Sequence, residues 1–220
     1  MTMKTRREES DRAMNWETPI AINNNLYKTY LIGSMESPAK ADGGVGWRQL
    51  LTPDLIKRGI YAFDPTREEI KKVGMPTEEL MQKLLGWQLS GNWKLFTDTM
   101  RKIWRGTSYI QEAVDGKEAQ VIHIMGDVDY VEHSDFVIWN HEDGDQPGGT
   151  IAELVIAWYR GIPVYLITSV PKSKMNKSLL YFLLDSGRGQ GAIFSSQFEL
   201  LEFLDDKYQL KPKEPKKDPK

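Results

Sequence analysis

Four short runs of consecutive apolar residues punctuate the chain: residues 28–32 (KTYLI), 60–63 (IYAF), 136–139 (FVIW) and 164–167 (VYLI). They are continuous rather than alternating, the pattern of strands covered on both faces. A fifth run, residues 121–125 (VIHIM), reads equally as a strand or a helix end. Between the runs, apolar positions recur at spacings of three and four over about 47–58, 77–89 with 96–103, and 150–160, which predicts helices. Strand alternating with helix implies an α/β fold: an open, Rossmann-like or flavodoxin-like parallel sheet flanked by helices. One domain over about 26–210 accounts for this pattern. Residues 74–117 are longer than a crossover needs and are expected to form a helical insertion, in which Trp87, Trp93 and Trp104 mainly pack. The polar residues 1–25 are expected to form a flexible arm, and 211–220 (KPKEPKKDPK) a disordered Lys/Pro tail.

Composition narrows the chemistry. Twenty-nine basic against 31 acidic residues in a chain of 220 give a net charge of -2, with no excess to drive binding to a nucleic acid polymer. No cysteine is present, which removes disulfides and cysteine-ligated metals, and His123, His133 and His141 lack metal-ligand spacing. No metal or other cofactor is implied. There is no apolar run of membrane-helix length, and the start MTMKTRREESDR is too charged for a signal peptide, so a soluble cytoplasmic protein acting on a small molecule is expected. Gly187-Arg188-Gly189-Gln190-Gly191 follows a helical run rather than a strand, so it is no phosphate-binding fingerprint, and a mobile loop is expected there.

In a parallel sheet, ligands gather beyond the carboxyl ends of the strands. The loops in question are 33–46, 64–74 and 140–149, each rich in Gly, Pro or acidic residues. The densest pattern surrounds the last: Asp127, then Asp135 opening an apolar run, then Gly148-Gly149-Thr150, Glu153, Ala157 and Gly161-Ile162-Pro163-Val164. Glu153 is expected in the first turn of a helix that starts near Thr150. A Thr and Glu three residues apart also make a capping box, which is the plainer reading of the pair.

This register resembles the signature of the nucleoside 2-deoxyribosyltransferase superfamily, which includes the 2'-deoxynucleoside 5'-monophosphate N-hydrolases. Tyr30-Leu31-Ile32-Gly33-Ser34, Gly46-Trp47-Arg48 and Phe63-Asp64-Pro65 match its earlier landmarks, so the likeness runs over about residues 28–168. It implies a retaining reaction at the anomeric carbon of a (deoxy)ribose, with Glu153 as nucleophile, Asp127 as the acid that assists the departing base, and Tyr30 bonding the nucleophile. Gly33, Ser34, Trp47, Arg48, Asp64, Asp129, Gly148, Gly149 and Thr150 are the implied substrate contacts. Asp127, Tyr30 and Arg48 have structural alternatives: Asp127 as a cap or turn residue, Tyr30 as core, Arg48 as a solvated helix residue. The resemblance also implies a homodimer or larger homo-oligomer in which a neighbour's residues close the pocket, the C-terminal half, including residues 176–182, being the candidate segment. Two departures blur the substrate. Pro147 stands where the superfamily carries Asp or Ser, and Met35-Glu36-Ser37-Pro38 replaces a G-G-R phosphate loop. Asp143 and Asp145 are the possible stand-ins, although their loop also reads as merely solvated. The alternatives to an enzyme are a non-catalytic nucleotide-binding or sensor module of the same fold, and a scaffold that assembles through the tryptophan-rich insertion.

Overall fold

The computed structural model describes residues 27–35, 45–111, 120–145 and 148–210. The expected N-terminal arm, the Lys/Pro tail and Pro147 lie outside the described residues. By contact density the chain divides into two compact units, one comprising the described residues of Asn24–Phe63 and Ser134–Lys220, the other those of Asp64–His133.

The first unit is built on a five-stranded sheet in the order β2-β1-β5-β6-β7. Its strands are β1 (Tyr27–Gly33), β2 (Ile60–Phe63), β5 (Phe136–His141), β6 (Val164–Thr168) and β7 (Ala192–Phe194), all paired in parallel. This is the open α/β sheet that the apolar runs predict. Helices α1 (Val45–Lys57) and α8 (Gln197–Lys207) cover one face, where Leu51, Leu55, Leu200 and Leu204 pack on Leu31, Phe136, Ile138 and Tyr165. Each such leucine, fully buried, contributes on the order of 1.5–3 kcal/mol. Alternation along the strands sends Tyr30, Ile32, Val137, Trp139 and Leu166 to the opposite face. Helices α6 (Gly148–Arg160) and α7 (Lys177–Gly189) cover that face: α6 packs on β1 and β6, and α7 on α6 and β6.

Asp135 ties the start of β5 to β1, its N–H donating to Lys28 O at 2.8 Å and its carboxylate accepting Lys28 N–H at 2.8 Å. The expected mobile loop at 187–191 is instead a packed helix end. Ser186, Gly187 and Arg188 leave helical geometry, and Ser186 Oγ accepts Val164 N–H and donates to Leu183 O. A Cβ on Gly187, where φ is +60°, would lie 2.7 Å from Pro163 Cβ, so the turn requires a glycine.

The second unit contains α2 (Pro65–Val73), α3 (Thr77–Ser90), α4 (Trp93–Arg105), the antiparallel hairpin β3 (Thr107–Gln111) and β4 (Gln120–Ile124), and α5 (Asp127–Glu132). The ambiguous run at 121–125 is thus a strand, paired outside the main sheet. The expected loop at 64–74 is the helix α2, because Asp64 and Pro65 supply a start signal: the Asp64 carboxylate accepts from Thr66 N–H and Thr66 Oγ, and proline stands at the first helical position. Leu80, Leu84 and Ile103 form a small core against which Trp87 and Trp104 pack, while Trp93 remains 58% exposed.

Candidate active site

Leaving the hairpin aside, the chain runs from β1 outward to β2 and then returns to the other side of β1 as β5. The two connections diverge there, and the crevice beyond the carboxyl ends of β1 and β5 is where such a sheet holds a ligand. Gly33 and Asn140 face each other at that edge. A Cβ at Gly33 would stand 2.9 Å from Asn140 O, 3.4 Å from a ring carbon of Trp47 and 3.6 Å from Arg48 Nη2, so the glycine lets both strands and α1 meet closely.

Arg48 is fully buried, which corrects the reading of it as a solvated helix residue. Its guanidinium donates to Leu31 O (Nε, 3.3 Å) and Gly33 O (Nη2, 3.1 Å), and it lies over the Trp47 ring at 4.7 Å. The strand end supplies carbonyls that need donors, and the fixed fork of N–H groups on Arg48 of α1 provides them. Trp47 Nε1 is buried with no hydrogen-bond partner among the described residues. Ser34, next along the chain, is 4% exposed.

On the opposite face of the sheet, Tyr30 is fully buried. It lies at the middle of β1, with its side chain on the side that α6 covers. Helix α6 begins at Gly148, two residues before the expected start. Thr150 is therefore inside the helix and cannot serve as the cap of a capping box, and Glu153 falls in the second turn. Thr150, Glu153, Leu154 and Ala157 form the buried stripe of α6, Glu153 being 8% exposed. A carboxylate on the sheet-facing stripe of a helix is not one that merely complements a helix dipole from solvent. Gly148 and Gly149 are exposed in the first turn, and nothing lies within 4 Å of a Cβ placed on Gly148.

The loop after β5 is not simply solvated. Asp143 is exposed, but the Asp145 side chain is 1% exposed, its carboxylate accepting Glu142 N–H at 2.9 Å and lying 3.7 Å from His141 Nδ1. Asn140 is 6% exposed and donates to Glu142 at 3.1 Å. Trp139, fully buried, has an indole N–H with no partner among the described residues. Asn140 and Trp139 escape a search of the sequence because one ends an apolar run and the other looks like core.

Tyr30, Gly33, Ser34, Trp47, Arg48, Gly148, Gly149, Thr150 and Glu153 thus belong to the sheet unit; Asp64, Asp127 and Asp129 belong to the other. In that second unit Asp64 caps α2 as described. Asp129 closes the start of α5, its carboxylate accepting Gly126 N–H at 2.8 Å with His123 Nε2 at 3.3 Å. Asp127, the first residue of α5, does not cap it. Its Oδ1 accepts instead from Lys72 Nζ, in an ion pair whose lysine side chain is fully buried. Lys72 is a third residue that sequence pattern misses, since a lysine on an amphipathic helix reads as solvent-facing.

Among the described residues, no group of three or more His, Asp or Glu is placed to hold a metal ion, and no helix is long and apolar enough to cross a membrane. No protein-family model and no curated protein matches the chain. Solved structures do. The 2-deoxyribosyltransferase of Bacillus psychrosaccharolyticus is 17% identical, with 84% of this chain and 98% of that chain covered at a TM-score of 0.46. A conserved protein of Enterococcus faecalis V583 is 14% identical over 82% and 98% of the two chains, TM-score 0.44. The CMP N-glycosidase of Clostridium botulinum is 13% identical over 81% and 98%, TM-score 0.39. The chain is similar to these structures.

Proposed function

We propose that this protein cleaves or transfers the N-glycosidic bond of a (deoxy)nucleoside or its 5'-monophosphate. The observation that carries the reading is the position of Glu153: a carboxylate on the buried stripe of α6, the helix that follows the switch-point strand β5. The register from Asp127 to Val164, similar to that of the deoxyribosyltransferases, supports it. One Glu153 oxygen forms a bond to the anomeric carbon as the bond to the base nitrogen breaks, the electron pair leaving with the base, which takes up a proton. Water or a second base then attacks the same carbon and releases Glu153, so the configuration is retained overall. Tyr30, on the face that α6 covers, is the proposed hydrogen-bond partner of the nucleophile, and Asp127 the proposed second carboxylate.

The test is incubation with a panel of nucleosides and monophosphates, in both deoxyribose and ribose forms, with and without an acceptor base. Free base is expected from wild type, and a new nucleoside in the acceptor arm marks transfer. Glu153→Gln should lower turnover by about a thousand-fold or more while ligand binding persists. A wild type that binds members of the panel but releases no base overturns the catalytic reading and leaves a nucleotide-binding module.

A further inference from the structure

The hairpin and α5 of the second unit hold a serine, a histidine and an aspartate in one chain of hydrogen bonds. Ser108 on β3 stands directly across the ladder from His123 on β4, with Ser108 Oγ 2.9 Å from His123 Nδ1. On the far side of the ring, His123 Nε2 lies 3.3 Å from Oδ2 of Asp129, in the first turn of α5. A carboxylate only accepts, so the ring proton in that bond sits on Nε2. Nδ1 then carries the lone pair, and the Ser108 hydroxyl donates to it. The carboxylate is fixed in turn, since Asp129 Oδ2 accepts Gly126 N–H at 2.8 Å.

Two glycines let these pieces meet. A Cβ on Gly106 would lie 2.8 Å from Gly126 N and 3.1 Å from His123 Nε2, and one on Gly126 would lie 2.6 Å from the carbonyl carbon of Arg105. Neither element needs the relay for its own sake. Asp129 closes the helix start through Gly126, and a cross-strand pair is served as well by threonine or an aromatic residue. The outer end of the chain is the nucleophile: Ser108 is exposed, while His123 and Asp129 keep 21% and 24% of their side chains accessible.

We infer that Ser108, His123 and Asp129 form a second reactive centre, which takes the acyl group of an activated ester. The centre lies within one compact unit and asks nothing of the glycosidic reading. Ser108 Oγ bonds to the ester carbonyl carbon as its proton passes to His123 Nδ1; the ester C–O bond then breaks, and the departing oxygen takes that proton. Water attacks the acyl-serine, giving a proton to the same nitrogen, and the proton returns to Ser108 as the acid leaves. Asp129 is a positioning residue: it holds the tautomer whose base faces the serine and stabilises the imidazolium that forms. The ring is turned over relative to the usual relay, in which Nε2 faces the hydroxyl, but either nitrogen is a base when the other holds the proton. Because Ser108 meets its ester at an exposed strand, esters with a good leaving group, such as aryl esters, are the class that suits it.

The experiment treats the full chain with a fluorophosphonate probe, locating adducts by peptide mass spectrometry, and separately with p-nitrophenyl acetate. It compares wild type, Ser108→Ala, His123→Gln and Asp129→Asn; the asparagine keeps an acceptor for Gly126 N–H. The adduct is expected on Ser108 in preference to other serines, forming at least about ten-fold more slowly in His123→Gln and Asp129→Asn, with ester hydrolysis lowered at least about ten-fold in Ser108→Ala. Proton NMR separates positioning from folding: a downfield imidazole N–H resonance, absent from His123→Gln, should move upfield in Asp129→Asn. Adducts spread evenly over the serines overturn the inference, as do undiminished labelling in His123→Gln and wild-type hydrolysis in Ser108→Ala. Ser108 is exposed and its alanine variant keeps the fold, so wild type and that variant decide the outcome even where a variant at His123 or Asp129 does not fold. Base release from nucleosides is a separate assay, so either reading can fail without the other.

Discussion

At the scale of single residues, Gly33 and Gly148 make a matched pair of glycines with opposite reasons for being there. Gly33 has no room: a Cβ would stand 2.9 Å from the backbone oxygen of Asn140, which is fixed in the ladder between β1 and β5. Gly148 has open space around it. Gly33→Ala should therefore cost about 1–3 kcal/mol by forcing the strands apart, whereas Gly148→Ala should change stability by less than about 0.5 kcal/mol. Urea unfolding of both variants decides it, and equal midpoints would show that the strand edge yields freely. Glu153 and Gly33 were legible in the sequence because each sits in an ordered series of landmarks. The burial of Arg48, which sits in the same series, and that of Lys72 were not. Both are cations on helices, and the pattern of polar positions assigns such residues to solvent unless a buried acceptor is known in advance. The acceptors are two carbonyls at the end of β1 for Arg48, and Asp127, 55 positions further along, for Lys72.

At the scale of elements, the buried strands were legible because apolar runs of β-branched and aromatic residues have few other uses. β1, β2, β5 and β6 all fall on predicted runs. β7 is too short to make a pattern, and β3 (TSYIQ) has four of five residues exposed, so neither carries the apolar signal. Helix α2 was hidden by its charge, its sequence PTREEIKKV reading as a loop, although the Asp-Pro start was visible. Caps of this kind are testable one helix at a time. Ser196 caps α8, with extended backbone angles and its hydroxyl accepting Glu199 N–H at 3.2 Å. Glu199 returns to Ser195, whose hydroxyl and N–H hold its carboxyl below the usual range. Since α8 carries Leu200, Leu201 and Leu204 into the core, Ser196→Ala should destabilise the protein by about 0.5–2 kcal/mol. Ser196→Asp, which restores an acceptor, should recover most of that loss in the same thermal unfolding assay, and an alanine variant as stable as wild type would show that the cap contributes nothing.

At the scale of the whole molecule, the sheet unit is closed at one side by aromatic rings from distant parts of the chain. Tyr208, just beyond α8, stacks on Phe136 at 5.1 Å and lies 4.8 Å from Tyr27, and its hydroxyl meets that of Tyr165 at 2.8 Å. Burial pushes both hydroxyls up, Tyr208 to about 12 and Tyr165 further. The mutual bond acts in opposite senses on the two, raising Tyr165 and lowering Tyr208, while the nearby Asp135 charge raises Tyr208. An exposed tyrosine in the unfolded chain ionises near pH 10. The folded protein thus holds more protons than the unfolded chain once the pH passes about 10, and stability that is complete below that value falls as the pH rises through about 12. Alkaline titration should accordingly show a late, cooperative rise in tyrosinate absorbance, from Tyr165 and Tyr208, that coincides with loss of the folded circular dichroism signal. Tyr208→Phe removes one of the two late groups and should diminish the late step. Absence of any late step, with the fold intact, would contradict a buried pair. A late step that remains whole in Tyr208→Phe would assign the resistance to another ring.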